Sequence, residues 1–110
     1  MVHYVESLDE YKTIIESGGN KLIVVDFTAT WCGPCQHIAP FYESLATKYP
    51  GILLYKVDVD EAGDIASAYG IRAMPTFHFY KDGKKVDELC GADKDKLESL
   101  VHKWSGHGSS

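Results

Sequence analysis

The sequence predicts an α/β domain with a mixed sheet and helices on both faces. Strand and helix patterns alternate along the first part of the chain, and this order requires parallel pairing between successive strands. The last two strand patterns are separated by Asp82-Gly83, a pair typical of a tight turn between antiparallel strands. One sheet that contains both kinds of pairing follows from these two observations.

The N-terminal segment carries a weak strand pattern at residues 2–5, followed by a helix. Ser7 and Glu10 have the spacing of a capping box, in which each side chain binds a free N–H at the helix start. Gly18-Gly19 ends this helix. Apolar residues recur between these signals at helical spacing, at Leu8, Tyr11, Ile14 and Ile15.

The next strand is predicted at residues 21–28. Its run Leu22-Ile23-Val24-Val25-Asp26-Phe27 is typical of a strand buried on both faces. A long helix follows, with Pro34 in its first turn and Pro50-Gly51 beyond its end. The apolar residues of this helix are Ile38, Phe41, Tyr42, Leu45 and Tyr49.

The second half of the chain continues the alternation and then ends it. A strand is predicted at residues 52–59, and a short helix at about residues 64–69 ends at Gly70. Residues 76–80 and 85–89 form the two strands of the hairpin. Asp93 caps a last helix, whose apolar face consists of Leu97, Leu100, Val101 and Trp104.

Composition and charge set limits on the class of protein. The chain has 110 residues, of which 45% are hydrophobic and 25% charged, enough for one packed domain. We expect this domain at residues 1–105 and a flexible tail at residues 106–110. The formal net charge of −5 disfavours nucleic acid and anionic membranes as main partners, because both attract basic patches.

The N-terminus is acidic where a signal peptide needs an apolar run, and no segment approaches the ~20 apolar residues of a membrane span. We therefore expect a cytoplasmic protein, in a reducing compartment. Three cysteines are too few for a disulfide framework. A close cysteine pair in this setting is more typical of catalysis or of metal binding.

Cys32 and Cys35 follow the first buried strand, with two residues between them. In open α/β sheets, active sites lie at this end of the strands. Cys32 comes at a helix start, where free N–H groups and the helix dipole favour a thiolate. The pattern predicts disulfide exchange, in which Cys32 attacks a substrate disulfide and the more buried Cys35 resolves the mixed disulfide.

Metal and haem sites fit this pattern less well. A structural zinc site needs four ligands, and only Cys90 and scattered histidines remain, so we expect no metal. Covalent haem attachment needs His directly after the second cysteine, where this chain has Gln36. Two structural core cysteines would leave the helix-start position, and the neighbouring Trp31 and Pro34, unexplained.

The segment Trp31-Cys32-Gly33-Pro34-Cys35 resembles the active site of the thioredoxin family, and the resemblance covers nearly the whole chain. It implies a mixed five-stranded central sheet flanked by four helices, and general reduction of protein disulfides. Gln36-His37 is a departure, since many members carry Lys directly after the second cysteine. The other matches are Asp26, Lys56, the stretch Gly70-Ile71-Arg72-Ala73-Met74-Pro75-Thr76, and Gly91.

The resemblance also implies roles for residues around the cysteines. Asp26 would be a buried acid beneath Cys35, with a raised pKa, that takes the Cys35 proton during resolution. The alternative is that its face of the strand reaches solvent. Lys56 is either the partner of Asp26 across the sheet or a surface lysine.

Substrate binding is implied at a shallow apolar surface next to the cysteines. A cis Met74–Pro75 bond would leave the backbone of Met74 free to pair with an extended substrate segment. Trp31 either supports this surface or serves only in packing, and two glycines let another backbone approach closely. The whole surface consists of Trp31, Gly33, Pro34, Met74, Pro75 and Gly91.

Cys90 has two interpretations. It is either a small apolar residue that ends a strand, or a regulatory thiol that forms a mixed or intersubunit disulfide next to Gly91.

The resemblance implies no bound cofactor beyond the redox-active Cys32–Cys35 pair. A flavin- and NADPH-dependent thioredoxin reductase would recharge the pair, which places the protein in electron transport and cell redox homeostasis. Implied clients include peroxiredoxins, ribonucleotide reductase and methionine sulfoxide reductases, and we expect a monomer.

Two other functions stay open. A disulfide isomerase or oxidant of the same fold is disfavoured by Gly33-Pro34 and by the lack of a secretion signal. A binding subunit that uses the fold to hold one partner is disfavoured by the intact cysteines and Pro75.

Overall fold

A single five-stranded sheet organises residues 2–106, the part of the chain that the computed structural model describes. The strand order is β1-β3-β2-β4-β5. The first three of these pair in parallel, whereas β4 is antiparallel to both β2 and β5, so the predicted mixed sheet is confirmed. The strands are β1 (His3–Tyr4), β2 (Ile23–Thr28), β3 (Leu53–Asp58), β4 (Thr76–Lys81) and β5 (Lys84–Cys90).

Four helices complete the fold within the same described part. Their N-terminal caps explain where two of them begin: Ser7 Oγ accepts the N–H of Glu10 at 3.1 Å, and Asp93 Oδ1 accepts the N–H of Lys96 at 3.0 Å. The Glu10 carboxylate reaches back to the N–H of Glu6, one residue before the position expected for a capping box. The helices are α1 (Leu8–Ser17), α2 (Gly33–Lys48), α3 (Gly63–Ala68) and α4 (Lys94–Trp104).

The turn between β4 and β5 has the conformation that its sequence predicts. Asp82 and Gly83 both have positive φ, of 54° and 77°. Positive φ at both central residues matches the twist of the two strands, and Asp-Gly tolerates it. No helix between residues 2 and 106 has the length and apolar character needed to cross a membrane. The predicted tail lies outside the described residues from position 107 onward.

Both faces of β2 are buried, as its apolar run, interrupted at Asp26, predicts. Val24 points into a core that includes Ile38 and Tyr42 of α2 and Leu97 of α4. Ile23, Val25 and Phe27 point into a second core, on the side of α1 and α3. Alternation along a strand places Asp26 on the same face as Val24.

The strand register brings separate parts of the chain together at one end of the strands β2, β4 and β5. Phe27, near the carboxyl end of β2, pairs with Thr76 at the start of β4. Thr76 in turn pairs with Cys90 at the end of β5. The segments before β4 and after β5 therefore lie beside the start of α2.

Candidate active site

Cys32 and Cys35 form a disulfide at the start of α2, with their Cα atoms 5.2 Å apart. Cys32 is the N-cap residue, and its Sγ accepts the backbone N–H of Cys35 at 3.2 Å. Its residue surface is 6% exposed, against 1% for Cys35. A charge on Cys32 Sγ would be stabilised by this N–H and by the positive end of the helix dipole.

Apolar groups enclose the disulfide. Ala29 is buried against it, and Val59 and Met74 pack around the same cluster. The carbonyl oxygen of Met74 lies 3.7 Å from Cys32 Sγ. A low-polarity environment of this kind strengthens the interaction of the sulfur with the few dipoles that face it.

The side chain of Gln36 holds the loop that leads into α2. Its Nε2 donates to the carbonyl oxygen of Ala29 at 3.0 Å, and the N–H of Cys32 donates to the same oxygen at 3.2 Å. The residue that departs from the family pattern therefore fixes the active-site loop by a hydrogen bond.

Trp31 is 66% exposed beside the disulfide. Its indole Nε1 donates to Asp60 Oδ2 at 2.7 Å. The loop that carries Asp60 is held by Asp58, whose Oδ1 accepts the N–H groups of Asp60 and Glu61. The interpretation of Trp31 as a packing residue alone is wrong, because most of the residue surface is exposed.

The Met74–Pro75 peptide bond is cis, as the resemblance implies. Thr76 Oγ1 donates to the carbonyl oxygen of Ala73 at 2.5 Å, and the N–H of Gly91 donates to that of Pro75 at 2.8 Å. Gly91 has a φ of +102°, which other residues rarely adopt. This segment is therefore fixed from two sides next to Cys32.

Gly33 and Pro34 form the first turn of α2 and are exposed. A Cβ atom built on Gly33 would meet no described atom within 4 Å. The six residues predicted to bind substrate lie on the loop before α2, the first turn of α2, the segment before β4 and the residue after β5. Pro75 is the one of the six that is buried.

Asp26 is completely buried, so the interpretation that its face of β2 reaches solvent is wrong. Neither carboxylate oxygen has a hydrogen-bond partner among residues 2–106. Desolvation raises the pKa of Asp26 to about 7; the charge of Lys56 lowers this pKa and that of Glu43 raises it. Asp26 can therefore gain and lose a proton near neutral pH.

Lys56 is almost as buried as Asp26 and lies opposite it across the β2–β3 pair. The interpretation of Lys56 as a surface lysine is therefore wrong. Its Nζ, however, donates to Glu43 Oε2 on α2 at 2.9 Å. Lys56 acts on Asp26 through its charge, while its ion pair is with Glu43.

The sequence and the fold of this chain match those of known proteins. The family model described as Thioredoxin matches residues 2–103. The chain belongs to the thioredoxin family. It is a thiol–disulfide oxidoreductase that reduces disulfides in proteins, and membership implies disulfide-containing clients and reductase partners in general.

Individual thioredoxins match over almost their whole length. Thioredoxin of Ophiophagus hannah is 49% identical over 104 residues, which cover 94% of this chain and 99% of that protein. Homo sapiens thioredoxin is 47% identical over 102 residues, covering 93% and 97%. The X-ray structure of Fasciola hepatica thioredoxin matches with a TM-score of 0.90 at 42% identity, covering 94% of this chain and 99% of that one.

Cys90 is a free, exposed cysteine at the end of β5. Thr76 Oγ1 lies 3.7 Å from its sulfur. Cys90 thus adjoins the segment that carries Pro75 in this thioredoxin-family protein, and both interpretations of its role stay predictions.

Three contacts of the site were not predicted from the sequence, namely those made by the side chains of Glu43, Asp60 and Gln36. Glu43 follows Tyr42 on an amphipathic helix, and its half-exposed position gives no signal of a buried partner. Asp60 lies in a loop 29 residues from Trp31. In the described part of the chain, no group of three or more His, Cys, Asp and Glu side chains could hold a metal ion.

Proposed function

We propose that this thioredoxin-family protein reduces client disulfides with Cys32 as the nucleophile, Cys35 as the resolving thiol and Asp26 as the proton acceptor. The observation that carries the assignment is the position of Cys32 at the N-cap of α2, where its sulfur accepts an N–H and the residue is the more exposed of the two cysteines. Position and access both favour attack by this sulfur.

The reaction has two steps. In the reduced protein, the Cys32 thiolate attacks one sulfur of a client disulfide; the other client sulfur leaves and takes up a proton from solvent. Cys35 then gives its proton to Asp26 and attacks Cys32 Sγ. The bond between Cys32 and the client breaks, the second client sulfur leaves as a thiolate and is protonated, and the client gains two electrons as the pair becomes a disulfide.

A pKa of about 7 supports the role of Asp26 in the second step. A base with a pKa near the working pH is present in its ionised form and still has affinity for a proton. Lys56 tunes this affinity by its positive charge, which favours the ionised carboxylate.

The client binds, in this proposal, to the exposed surface around the disulfide. The Met74 backbone pairs with an extended client segment, and the Met74 carbonyl 3.7 Å from Cys32 Sγ supports this position. Gly33 and Gly91 leave room for the client backbone. Trp31 and Pro34 supply exposed apolar contact beside the nucleophile, whereas Pro75 is buried and adjoins Met74 in the chain.

The cellular part of the proposal rests on family membership. A flavin- and NADPH-dependent thioredoxin reductase returns electrons to the Cys32–Cys35 disulfide, and the protein needs no bound cofactor of its own. Its clients are peroxiredoxins, ribonucleotide reductase and methionine sulfoxide reductases, and it works in the cytoplasm in cell redox homeostasis.

Trapping of the mixed disulfide tests the assignment. Cys35→Ser and Cys32→Ser are each made in a Cys90→Ser background, so that one site thiol remains, and are incubated with insulin. We expect Cys35→Ser to form a dithiothreitol-sensitive adduct with an insulin chain, and Cys32→Ser to form little. Equal trapping, or trapping through Cys35 alone, would contradict the assignment.

Asp26→Asn should keep the fold and slow turnover near pH 7; an unchanged rate would remove Asp26 from the mechanism.

A further inference from the structure

The ammonium of Lys56 has two carboxylates within its electrostatic reach, and it is bonded to only one. Its Nζ lies 2.9 Å from Glu43 Oε2. Asp26, its register partner on β2, keeps both oxygens without a hydrogen bond from any described residue. Buried carboxylates are normally paired, so this arrangement has a free-energy cost that a Lys56–Asp26 ion pair would reduce.

We propose that Glu43 is a positioning residue of the thiol chemistry: its ion pair holds the Lys56 ammonium away from Asp26, which leaves Asp26 free to bind and release a proton. The role rests on the proposed function, since it matters for turnover only if Asp26 accepts the Cys35 proton. Glu43 touches neither sulfur in this account and acts through Lys56 alone.

The burial of the three side chains fits this role. The Lys56 side chain is 8% exposed, so its charge needs a partner. The Glu43 side chain is 43% exposed on α2, and water therefore solvates its carboxylate in part. Glu43 can stay ionised at this boundary while Asp26, fully desolvated, cannot do so without cost.

None of the other described groups around Asp26 donates a hydrogen bond to its carboxylate. On α2, the hydroxyl of Tyr42 lies 3.0 Å from the carbonyl oxygen of Val24 and 2.7 Å from that of Tyr55, so its proton is engaged with the backbone. The residue of β4 that pairs with Asp26 is Phe77. The buried residues that α4 contributes to this core, Leu97 and Val101, are apolar. The Cys32–Cys35 disulfide does not titrate until it is reduced.

Removal of the Glu43 charge should lower the pKa of Asp26 by two routes. The negative charge of Glu43 raises the pKa of Asp26, and this effect is lost. The Lys56 ammonium also loses its partner and can turn to Asp26, where it favours the ionised carboxylate. Both changes lower the pKa of Asp26.

Carboxyl ¹³C NMR titration of Asp26 in the oxidised protein measures this effect. Glu43→Gln should lower the pKa of Asp26 by about one unit or more. Glu98→Gln is the matched control, since it also removes one carboxylate from a helix-surface pair, here with Lys48. It should leave the Asp26 titration unchanged, and an equal shift in Glu98→Gln would overturn the proposal.

A double-mutant cycle with Lys56→Met separates positioning from a simple charge effect. Lys56→Met alone should raise the pKa of Asp26. In that background, Glu43→Gln should shift the titration much less than it does in the wild type. Equal shifts in both backgrounds would show that Glu43 acts as a charge and does not position Lys56. Lys56→Gln repeats the cycle, so that the result does not depend on one replacement.

The titration tests the role of Glu43 and the turnover assay tests Asp26 as proton acceptor, so either proposal can be refuted without the other. An unchanged Asp26 pKa in Glu43→Gln, with slow turnover in Asp26→Asn, would refute the role of Glu43 and leave the proposed function intact. A lowered pKa with normal turnover in Asp26→Asn would support the placement of Lys56 and refute Asp26 as proton acceptor. If both proposals hold, the pH at which Cys35-dependent resolution accelerates should fall in Glu43→Gln by the same shift as the titration.

Discussion

Gln36 donates a hydrogen bond from its side-chain Nε2 to the carbonyl oxygen of Ala29, at 3.0 Å, and so joins the first turn of α2 to the residue after β2. The segment between them contains Trp31 and Cys32. Because the N–H of Cys32 donates to the same oxygen, the position of the nucleophile depends on this carbonyl.

Gln36→Met tests this link, because it keeps the length of the side chain and removes the donor. We expect the free energy of unfolding of the oxidised protein to fall by about 1 kcal/mol, the usual contribution of one hydrogen bond. Urea unfolding measures the change. Gln36→Lys, which keeps a donor at similar reach, should lose less; equal losses in both variants would contradict the role of the hydrogen bond.

Asp26→Asn should stabilise the oxidised protein above neutral pH. Burial raises the pKa of Asp26 from 3.8 to about 7, so folding favours the protonated acid. Its contribution to the free energy of unfolding is therefore fully present below about pH 3.8 and is lost as the pH rises to about 7. The loss is at most about 4 kcal/mol. Urea unfolding should show a gain of about 2–4 kcal/mol for Asp26→Asn at pH 8 and little at pH 4; the same gain at both pH values would contradict this account.

His78 should destabilise the protein in acid. Burial lowers its pKa to about 4 from 6.5, with a further lowering by Lys85 and an opposing effect of Glu88. A lowered pKa means that its contribution to stability is present above about pH 6.5 and is lost as the pH falls towards 4, by at most about 3 kcal/mol. The contribution of Asp26 to stability changes with pH in the opposite direction. The two contributions are therefore each measured as a difference in the free energy of unfolding between variant and wild type.

The variant His78→Gln isolates this contribution. Relative to the wild type, it should lose less stability between pH 6.5 and pH 4 in urea unfolding. His37→Gln, at an exposed position on α2, serves as the control and should follow the wild type. An identical pH dependence in His78→Gln and wild type would contradict the assignment.

Cys90 should be the only cysteine that iodoacetamide labels in the native oxidised protein, because it is exposed and free while the other two form a disulfide. Mass spectrometry should find one label, and none in Cys90→Ser. Two labels on the wild type would contradict the disulfide. The mass after mild oxidation separates the two interpretations of Cys90: an adduct or a dimer supports a regulatory thiol, and an unmodified chain supports a residue that only ends a strand.

Local signals predicted most of the fold. The buried run of β2, the cap at Ser7 and the Asp82-Gly83 turn each act over a few residues, and each lies where the sequence indicates. Strand β1 gave the weakest pattern, and it has two paired residues, too few to show a period. Its register is set by the neighbouring β3.

The contacts of the site were less predictable because they depend on packing between distant elements. The position of Cys32 at a helix start follows from the order of strand and helix. The partner of Lys56 does not: the sequence offers Asp26 across the sheet, and only the packing of α2 on β3 brings Glu43 to the ammonium.

The central claim is that the Cys32–Cys35 pair reduces protein disulfides, and dithiothreitol-driven reduction of insulin tests it most directly. Turbidity from the released insulin chains is followed for the wild type, Cys32→Ser and Cys35→Ser, each at the same concentration. We expect rapid precipitation with the wild type and a rate near that of dithiothreitol alone with both variants. A wild-type rate no faster than that of the variants would contradict the claim.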